Sequence, residues 1–332
     1  MVSTDALGVP DRLQLGYWLS SEEHGARELV ENAAAAEAYG FETAMLSDHF
    51  HPWVPQQGNS PFAWAVLGGI AERTVKLRVG TGVSAPGHRV HPLVVAHAAA
   101  TVETMMPGRF FLGLGSGERL NEQVTGDRWP PPKERRARLE EAVGIIRKLW
   151  EGKSVTHTGD HFRVERARLY TRPDTPPPIV IAAGGKKTAR LAGELADGMI
   201  GVSDDPDIVE AFEASSGDTR KPRLAQVHLC WAATEEEARR TARHWWPNGG
   251  LAGPVLSELA VPEQFAAAAR DVEEDDVVAG VACGPDPDVH VAAVKRFVAA
   301  GFTTVFLHQI GPEQCGFLQF AHRELLPRLR AG

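Results

Sequence analysis

Cysteine is scarce in this sequence. Cys230, Cys283 and Cys315 are the three among 332 residues, far apart, odd in number and without any Cys-x-x-Cys spacing. That pattern suggests neither a zinc site nor a disulfide framework, no metal is expected, and a reducing interior fits best. Long apolar runs are missing too. None approaches the roughly eighteen residues that span a bilayer, and Met1 to Arg12 holds no apolar core of signal-peptide length, so the expectation is a cytoplasmic protein. Positive charge is in deficit: 35 Lys and Arg face 43 Asp and Glu, a formal net charge of -8. Neither nucleic acid nor an anionic membrane would be drawn to such a surface as a whole, although a local basic pocket stays open. Low-complexity segments, short repeats and a polar linker are also lacking, so residues 1–332 read as a single domain.

What is there is an ordinary globular composition, 43% hydrophobic with 33 Gly and 23 Pro, in a chain long enough for two average domains or one α/β barrel with insertions. Short apolar runs alternate with helical patterns. Strands are predicted at Leu13–Leu19, Phe41–Leu46, Leu77–Val83, Arg109–Gly115, Pro178–Ala183, Met199–Val202, Leu224–Ala233 and Thr303–Leu307. Helices are predicted at Arg27–Tyr39, Pro61–Arg73, His91–Met105, Lys133–Trp150, Thr188–Leu195, Pro206–Ala214, Asp286–Ala300 and Glu313–Leu329. Ser20 to Glu23 reads as a helix-capping stretch. Val155–Tyr170 alternates as an excursion hairpin turning at Gly159-Asp160, and residues 235–274 form an irregular helical insertion over one face. About eight strands, nearly all followed by helix, predict a parallel (β/α)8 TIM barrel with insertions.

Such a barrel gathers its chemistry at the carboxyl ends of its strands. Three loops at predicted strand ends carry unusual residues: Asp48-His-Phe-His-Pro-Trp53, Ser116-Gly-Glu-Arg-Leu-Asn121 and Gly184-Gly-Lys-Lys187. Barrel closure would bring them to one mouth although some 70 residues separate them in sequence. That convergence at one mouth is stronger evidence for a site than any one of the three motifs.

Ser47-Asp-His-Phe-x-Pro-Trp53, Gly113-x-Gly-x-Gly-Glu-x-Leu-Asn-Glu122 and Ile181-Ala-Ala-Gly-Gly185 closely resemble the loops of the glucose-6-phosphate dehydrogenase group that uses the deazaflavin coenzyme F420, within the bacterial-luciferase-like superfamily. The resemblance runs from about Leu15 to Val202 and resumes from Asp286 to Arg328. It implies an oxidoreductase that moves a hydride between an alcohol or carbonyl and the deazaflavin. By the same resemblance His49 is the catalytic base, Glu118 the acid, Trp53 a substrate-positioning group, and Glu22 or its neighbour Glu23 a further active-site carboxyl. Asp48 and Asn121 would meet the cofactor ring system, together with Ser116 and Gly117. Gly82, Val83 and Ala85 belong to a loop expected to carry a cis peptide at Gly82-Val83. Gly184, Gly185 and Thr188 would cradle the cofactor phosphate, with Lys186 and Lys187 near its acidic tail. A homodimer is the family habit.

Family members that act on glucose 6-phosphate hold the phosphate with a Lys after the strand matching Met199–Val202 and with later Lys and Arg residues. Here the first region reads Ser203-Asp-Asp-Pro-Asp207, and Gln264–Ala269 and Val277–Val281 offer no replacement. The expectation is therefore an unphosphorylated substrate, with Asp204 and Asp205 repelling a phosphate. A flavin mononucleotide monooxygenase of the same superfamily, a sugar-phosphate dehydrogenase with a changed phosphate site and a non-enzymatic cofactor-binding barrel are the competing readings.

Overall fold

The computed structural model describes residue 7 and residues 12–87, 89–251 and 253–331. Strand β1 (Gln14–Leu19) leads to helix α1 (Ala26–Ala38), β2 (Thr43–Leu46) to α2 (Ala63–Arg73), and β3 (Arg78–Thr81) to α3 (Pro92–Met105). After β4 (Phe110–Leu114) come the one-turn α4 (Arg119–Glu122) and the long α5 (Pro132–Trp150). An antiparallel hairpin, β5 (Val155–Thr158) with β6 (Arg163–Ala167), then interrupts the alternation. It resumes with β7 (Ile179–Ala182), α6 (Lys186–Leu195), β8 (Gly198–Gly201), α7 (Pro206–Ser216) and β9 (Arg223–Cys230). A helical excursion follows: α8 (Glu235–Trp245), a 3-10 turn at Pro247–Gly250, α9 (Gly253–Leu256), α10 (Pro262–Ala268) and α11 (Glu274–Val278). The chain returns through the two-residue β10 (Ala282–Cys283) and ends with α12 (Pro287–Ala299), β11 (Thr304–Gln309), α13 (Gln314–Phe320) and α14 (Leu326–Arg330).

Parallel pairing runs β1-β2-β3-β4-β7-β8-β9-β11 and back to β1, closing a ring of eight strands. The sequence dictates this closure by alternation. In each strand one set of residues turns outward to the helices, as Leu15, Tyr17 and Leu19 do from β1, and joins the large core between ring and helices. The other set fills the ring: Trp18, Met45, Phe111, Val180, Ile200, Leu224 and Phe306 pack together inside it. Bulky rings fit there because glycines face them. A Cβ on Gly80 would lie 2.1 Å from the Phe111 ring, and one on Gly16 2.3 Å from Phe306. A third apolar cluster, from Trp53, Val54 and Leu120 to Trp246, Phe265 and Ile310, joins the excursion to the carboxyl ends of the strands.

Three sequence expectations need correction. Ser20 to Glu23 does not cap α1, whose N-cap is Gly25 without a side-chain bond. All four side chains are instead buried, because the loop dips into the mouth of the ring. The stretch after Glu118, expected as loop, winds into α4 and a 3-10 turn at Gln123–Thr125. The closing helix runs without a gap from Gln314 to Arg330 but is not α-helical throughout, since Ala321–Leu325 is π-helical just before Pro327, which has no N–H to keep the regular ladder in step.

Candidate active site

Five strand ends supply the mouth. The loop after β1 brings Glu22, the loop after β2 His49 and Trp53, the loop after β3 Gly82 to Ala85, and the loop after β4 Ser116 to Asn121. Gly184 and Gly185 follow β7. At the centre, His49 Nε2 lies 3.4 Å from Glu22 Oε1 and 3.6 Å from Glu118 Oε2. The other ring nitrogen of His49 is 3.2 Å from the His51 carbonyl oxygen, and a carbonyl only accepts. Nδ1 therefore carries a hydrogen, and Nε2, set between the two carboxyl groups, is the nitrogen left to exchange a proton.

The two carboxyl groups differ in setting. Glu22 is fully enclosed, with Ser47 Oγ donating to Oε2 at 2.5 Å and Ser20 Oγ at 3.1 Å. Burial alone would raise its pKa, but the positive charge of a protonated His49 and the Ser47 hydroxyl lead the contributions that hold it below the usual carboxylate range. Glu118 is displaced the other way: burial raises it, Glu22 adds to the rise, and His49, Asn121 and Arg135 oppose. With 36% of its side chain open to the mouth, solvent moderates that shift. A pair of carboxyl groups pushed apart in pKa around one imidazole can hold a proton on one side and negative charge on the other. Glu23, the alternative to Glu22, turns away. Its Oε2 accepts from His308 Nε2 at 2.8 Å and its Oε1 from the Gly311 N–H at 2.8 Å.

The loops are tied to one another. Asn121 Oδ1 accepts the N–H groups of Phe50 at 2.9 Å and His51 at 3.2 Å, and its Nδ2 donates to Glu118 Oε2 at 3.4 Å. One amide thus sets the distance between the base and the acid. Asp48 spends both side-chain oxygens inside the protein, on Ser84 Oγ at 2.5 Å and Arg89 Nη2 at 3.2 Å. Expected against the ring system, its side chain anchors the β3 loop, in which the Gly82-Val83 peptide is cis. Val83 and Ala182 pack at the edge of the inner cluster, which includes Trp18 beneath Gly82. Trp53 is stacked at an angle on His49, centroids 5.1 Å apart, and meets Phe265 of α10 edge-on at 5.3 Å. Gln56 and Gln57 donate to the carbonyls of His244 and Trp245, fastening α8 over this loop.

At the N-terminus of α6, a Cβ built on Gly184 or Gly185 meets nothing within 4 Å. The space beside both glycines is open, at a helix start whose first N–H groups have no intrahelical acceptor. The Thr188 N–H is already bonded to the Gly185 carbonyl. Lys187 is exposed beside the cradle, whereas Lys186, expected near a cofactor tail, is paired with Asp207 at 2.6 Å. Ser116 and Ala85 line a small open-sided cleft with Pro86, Gly115, Trp129 and Arg135. Gly117 takes a positive φ of 79° at its edge. The expected repulsion from Asp204 and Asp205 is muted: Asp204 pairs with Arg296 at 3.1 Å and Asp205 caps α7. No group of metal ligands occurs among the described residues, and no described helix is long and apolar enough to cross a membrane.

Sequence reasoning missed Ser47 as the hydrogen-bond donor to Glu22, and missed Phe265 and Trp246 as the cover. Trp246 packs on His228 at 5.1 Å and on His308 at 4.8 Å. His308 was within reach, since it continues the inward alternation of Thr304 and Phe306 one residue past the predicted strand end.

Residues 8–304 match the family model described as luciferase-like monooxygenase. An F420-dependent glucose-6-phosphate dehydrogenase of Tsukamurella paurometabola is 38% identical over 96% of this chain and 99% of its own length. Among solved structures, an F420-dependent secondary alcohol dehydrogenase in complex with an F420-acetone adduct superposes with TM-score 0.89 at 30% identity, covering 96% of this chain and 99% of that one. The coenzyme F420-dependent tetrahydromethanopterin reductase from Methanopyrus kandleri shares the fold, with TM-score 0.78, 22% identity and coverage of 96% and 99%. The chain belongs to the luciferase-like family, in the group of the F420-dependent glucose-6-phosphate dehydrogenases.

Proposed function

We propose that this protein is an F420-dependent dehydrogenase or reductase acting on the CH–OH group of an unphosphorylated alcohol, or on the corresponding carbonyl. The observation that carries the reading is His49 Nε2 set between Glu22 and Glu118. The cofactor assignment is supported by the curated relative and the alcohol dehydrogenase structure, both F420-dependent, and by a site that fits it. The open Gly184-Gly185 cradle suits a phosphate, and the loop around Gly82 and Val83 offers a backing for a planar ring system. Gly184, Gly185, Thr188 and Lys187 would hold the acidic part, and Val83, Ala85, Ser116, Gly117 and Asn121 the ring edge. When bound, the deazaflavin supplies a carbon that takes up or returns a hydride.

The chain's own groups divide the proton work. His49 Nε2 accepts the hydroxyl proton of an alcohol, and Glu22, held ionised, stabilises the imidazolium so formed. Glu118 Oε2, with its raised pKa, holds a proton that it releases toward the mouth. Trp53 and Phe265 exclude water and give the substrate an apolar wall. That wall also supports an unphosphorylated substrate. Mouth residues Glu22 and Glu118 are acids, and Gln264 and Val277 bring no cation: Gln264 bonds the Ala260 N–H, and Val277 is buried. A phosphate dianion beside two carboxyl groups would be repelled by about 1–4 kcal/mol per close pair. The same reading takes the working form as a cytoplasmic homodimer.

The test is a titration of tryptophan fluorescence with F420 and with flavin mononucleotide, followed by a screen of unphosphorylated alcohols. F420 binding with turnover of a secondary alcohol supports the proposal. Tight flavin mononucleotide binding without F420 binding overturns it in favour of a monooxygenase.

A further inference from the structure

Two of the three cysteines, 53 positions apart in the sequence, meet in the fold. Cys283 on β10 is the register partner of Cys230 on β9. Paired strands run about 4.8 Å apart and register partners point to the same face, which places the two Cα atoms within the roughly 4.4–6.8 Å that a disulfide bridges. Both cysteines are free thiols, and as register partners they lie on the same face of the paired strands. Cys230 is buried against the Ile310 carbonyl, 3.6 Å from its Sγ, and Cys283 is partly open to solvent. Cys315, on α13, is exposed and lies outside this pair.

Their place in the chain gives the pair its consequence. The helical excursion leaves the ring at Cys230 and returns at Cys283, and the Gly284 N–H already bonds the Cys230 carbonyl at 3.0 Å. A bond between the two sulfurs would close the neck of residues 231–282. That segment carries Trp246 and Phe265 over the mouth.

We infer that Cys230 and Cys283 form a reversible dithiol–disulfide site that staples the neck of the excursion to the ring. The oxidant is a low-molecular-weight disulfide. The Cys283 thiolate attacks one of its sulfurs, a mixed disulfide forms and one small thiolate leaves. Cys230, giving up its proton, then attacks Cys283 Sγ and expels the second small thiolate. Two protein thiols are oxidised and one small disulfide is reduced to two thiols. The surroundings suit this order of attack. Cys283 is the partly open member of the pair and so the one an oxidant can reach, and the neighbouring Cys230 thiol and the Arg239 guanidinium lower its pKa against burial and the charges of Glu235 and Glu274. The inference is independent of the cofactor and substrate assigned above.

The experiment is to incubate the full chain with oxidised glutathione, alkylate all remaining thiols after denaturation, and read the intact mass and a peptide map. The expected result is one alkylated cysteine, Cys315, a Cys230–Cys283 linked peptide and an unalkylated mass lower by about 2 Da. Dithiothreitol should restore three alkylated positions, and Cys315→Ser should leave the cross-link intact. Oxidised protein should also resist limited proteolysis within residues 247–261 more than the reduced form, because the neck no longer opens. Three alkylated cysteines after oxidation would overturn the inference. So would glutathione retained on Cys283 with Cys230 still alkylated, or an unchanged cross-link yield in Cys283→Ser. The wild-type peptide map decides the matter even if Cys230→Ser fails to fold.

Discussion

His49 Nε2 and Glu22 Oε1 stand 3.4 Å apart, with the carboxylate enclosed by the hydroxyls of Ser20 and Ser47. In that setting, His49→Ala removes the proton acceptor without disturbing the phosphate cradle after β7. Turnover is expected to fall by about a hundredfold or more with cofactor affinity nearly unchanged, as read by steady-state kinetics and a binding titration.

The adjacent acids should separate cleanly. Glu22→Gln takes away the charge that stabilises protonated His49, so turnover should drop about tenfold or more with little change in melting temperature. Glu23→Gln instead disturbs the buried contacts with His308 and the Gly311 N–H. It should cost about 1–3 kcal/mol of stability, read by denaturant unfolding, with a smaller effect on turnover per folded molecule.

Asn121→Ala leaves the Phe50 and His51 amides without their acceptor and frees Glu118. A loss of about 1–3 kcal/mol is expected from the unpaired amides. Turnover should fall as well, because the distance from His49 to Glu118 is no longer fixed. Loss of stability with unchanged turnover would confine Asn121 to a structural role.

The direction of the Glu118 shift sets a pH dependence. Its folded pKa lies above the ordinary carboxyl value, so it stays protonated over a window above that value and loses the proton as pH rises through the raised pKa. The reaction in the direction that needs a proton from Glu118 should therefore slow on the alkaline side of that window. Glu118→Gln should flatten that limb of the profile while lowering the rate throughout.

A second titration bears on stability. Burial pushes Glu103 up to about 7 despite the Gly108 and Phe110 N–H groups that it accepts. A raised acid binds its proton more tightly folded than unfolded. Its contribution, about 3 kcal/mol by linkage, is complete below the ordinary carboxyl pKa and is lost as pH climbs to about 7. Melting temperature measured against pH should decline across that window in the wild type and more weakly in Glu103→Gln.

Much of this molecule was legible in its sequence because ring strands and outer helices obey local periodicities. Leu15, Tyr17 and Leu19 alternate with Trp18 in a way that only a two-sided buried strand explains. The loops holding His49 and Glu118 stood out because polar residues crowd where an apolar strand ends. What stayed hidden depends on three-dimensional neighbours. Nothing local tells Glu22 from Glu23; the choice follows from which one faces His49 and which faces His308 on β11. Asn121 reads as a ligand contact, and nothing local shows that it also ties the amides of Phe50 and His51 to Glu118. The Cys230–Cys283 neighbourhood needs the two-residue β10, too short to leave any periodic trace.

The most direct measurement mixes purified protein with oxidised coenzyme F420 and an unphosphorylated secondary alcohol, beginning with 2-propanol, and follows loss of the oxidised cofactor's visible absorbance. The account predicts bleaching in the wild type, slower by about a hundredfold or more in His49→Ala, and none above background with glucose 6-phosphate. Rapid bleaching by glucose 6-phosphate, or an undiminished rate in His49→Ala, would contradict it.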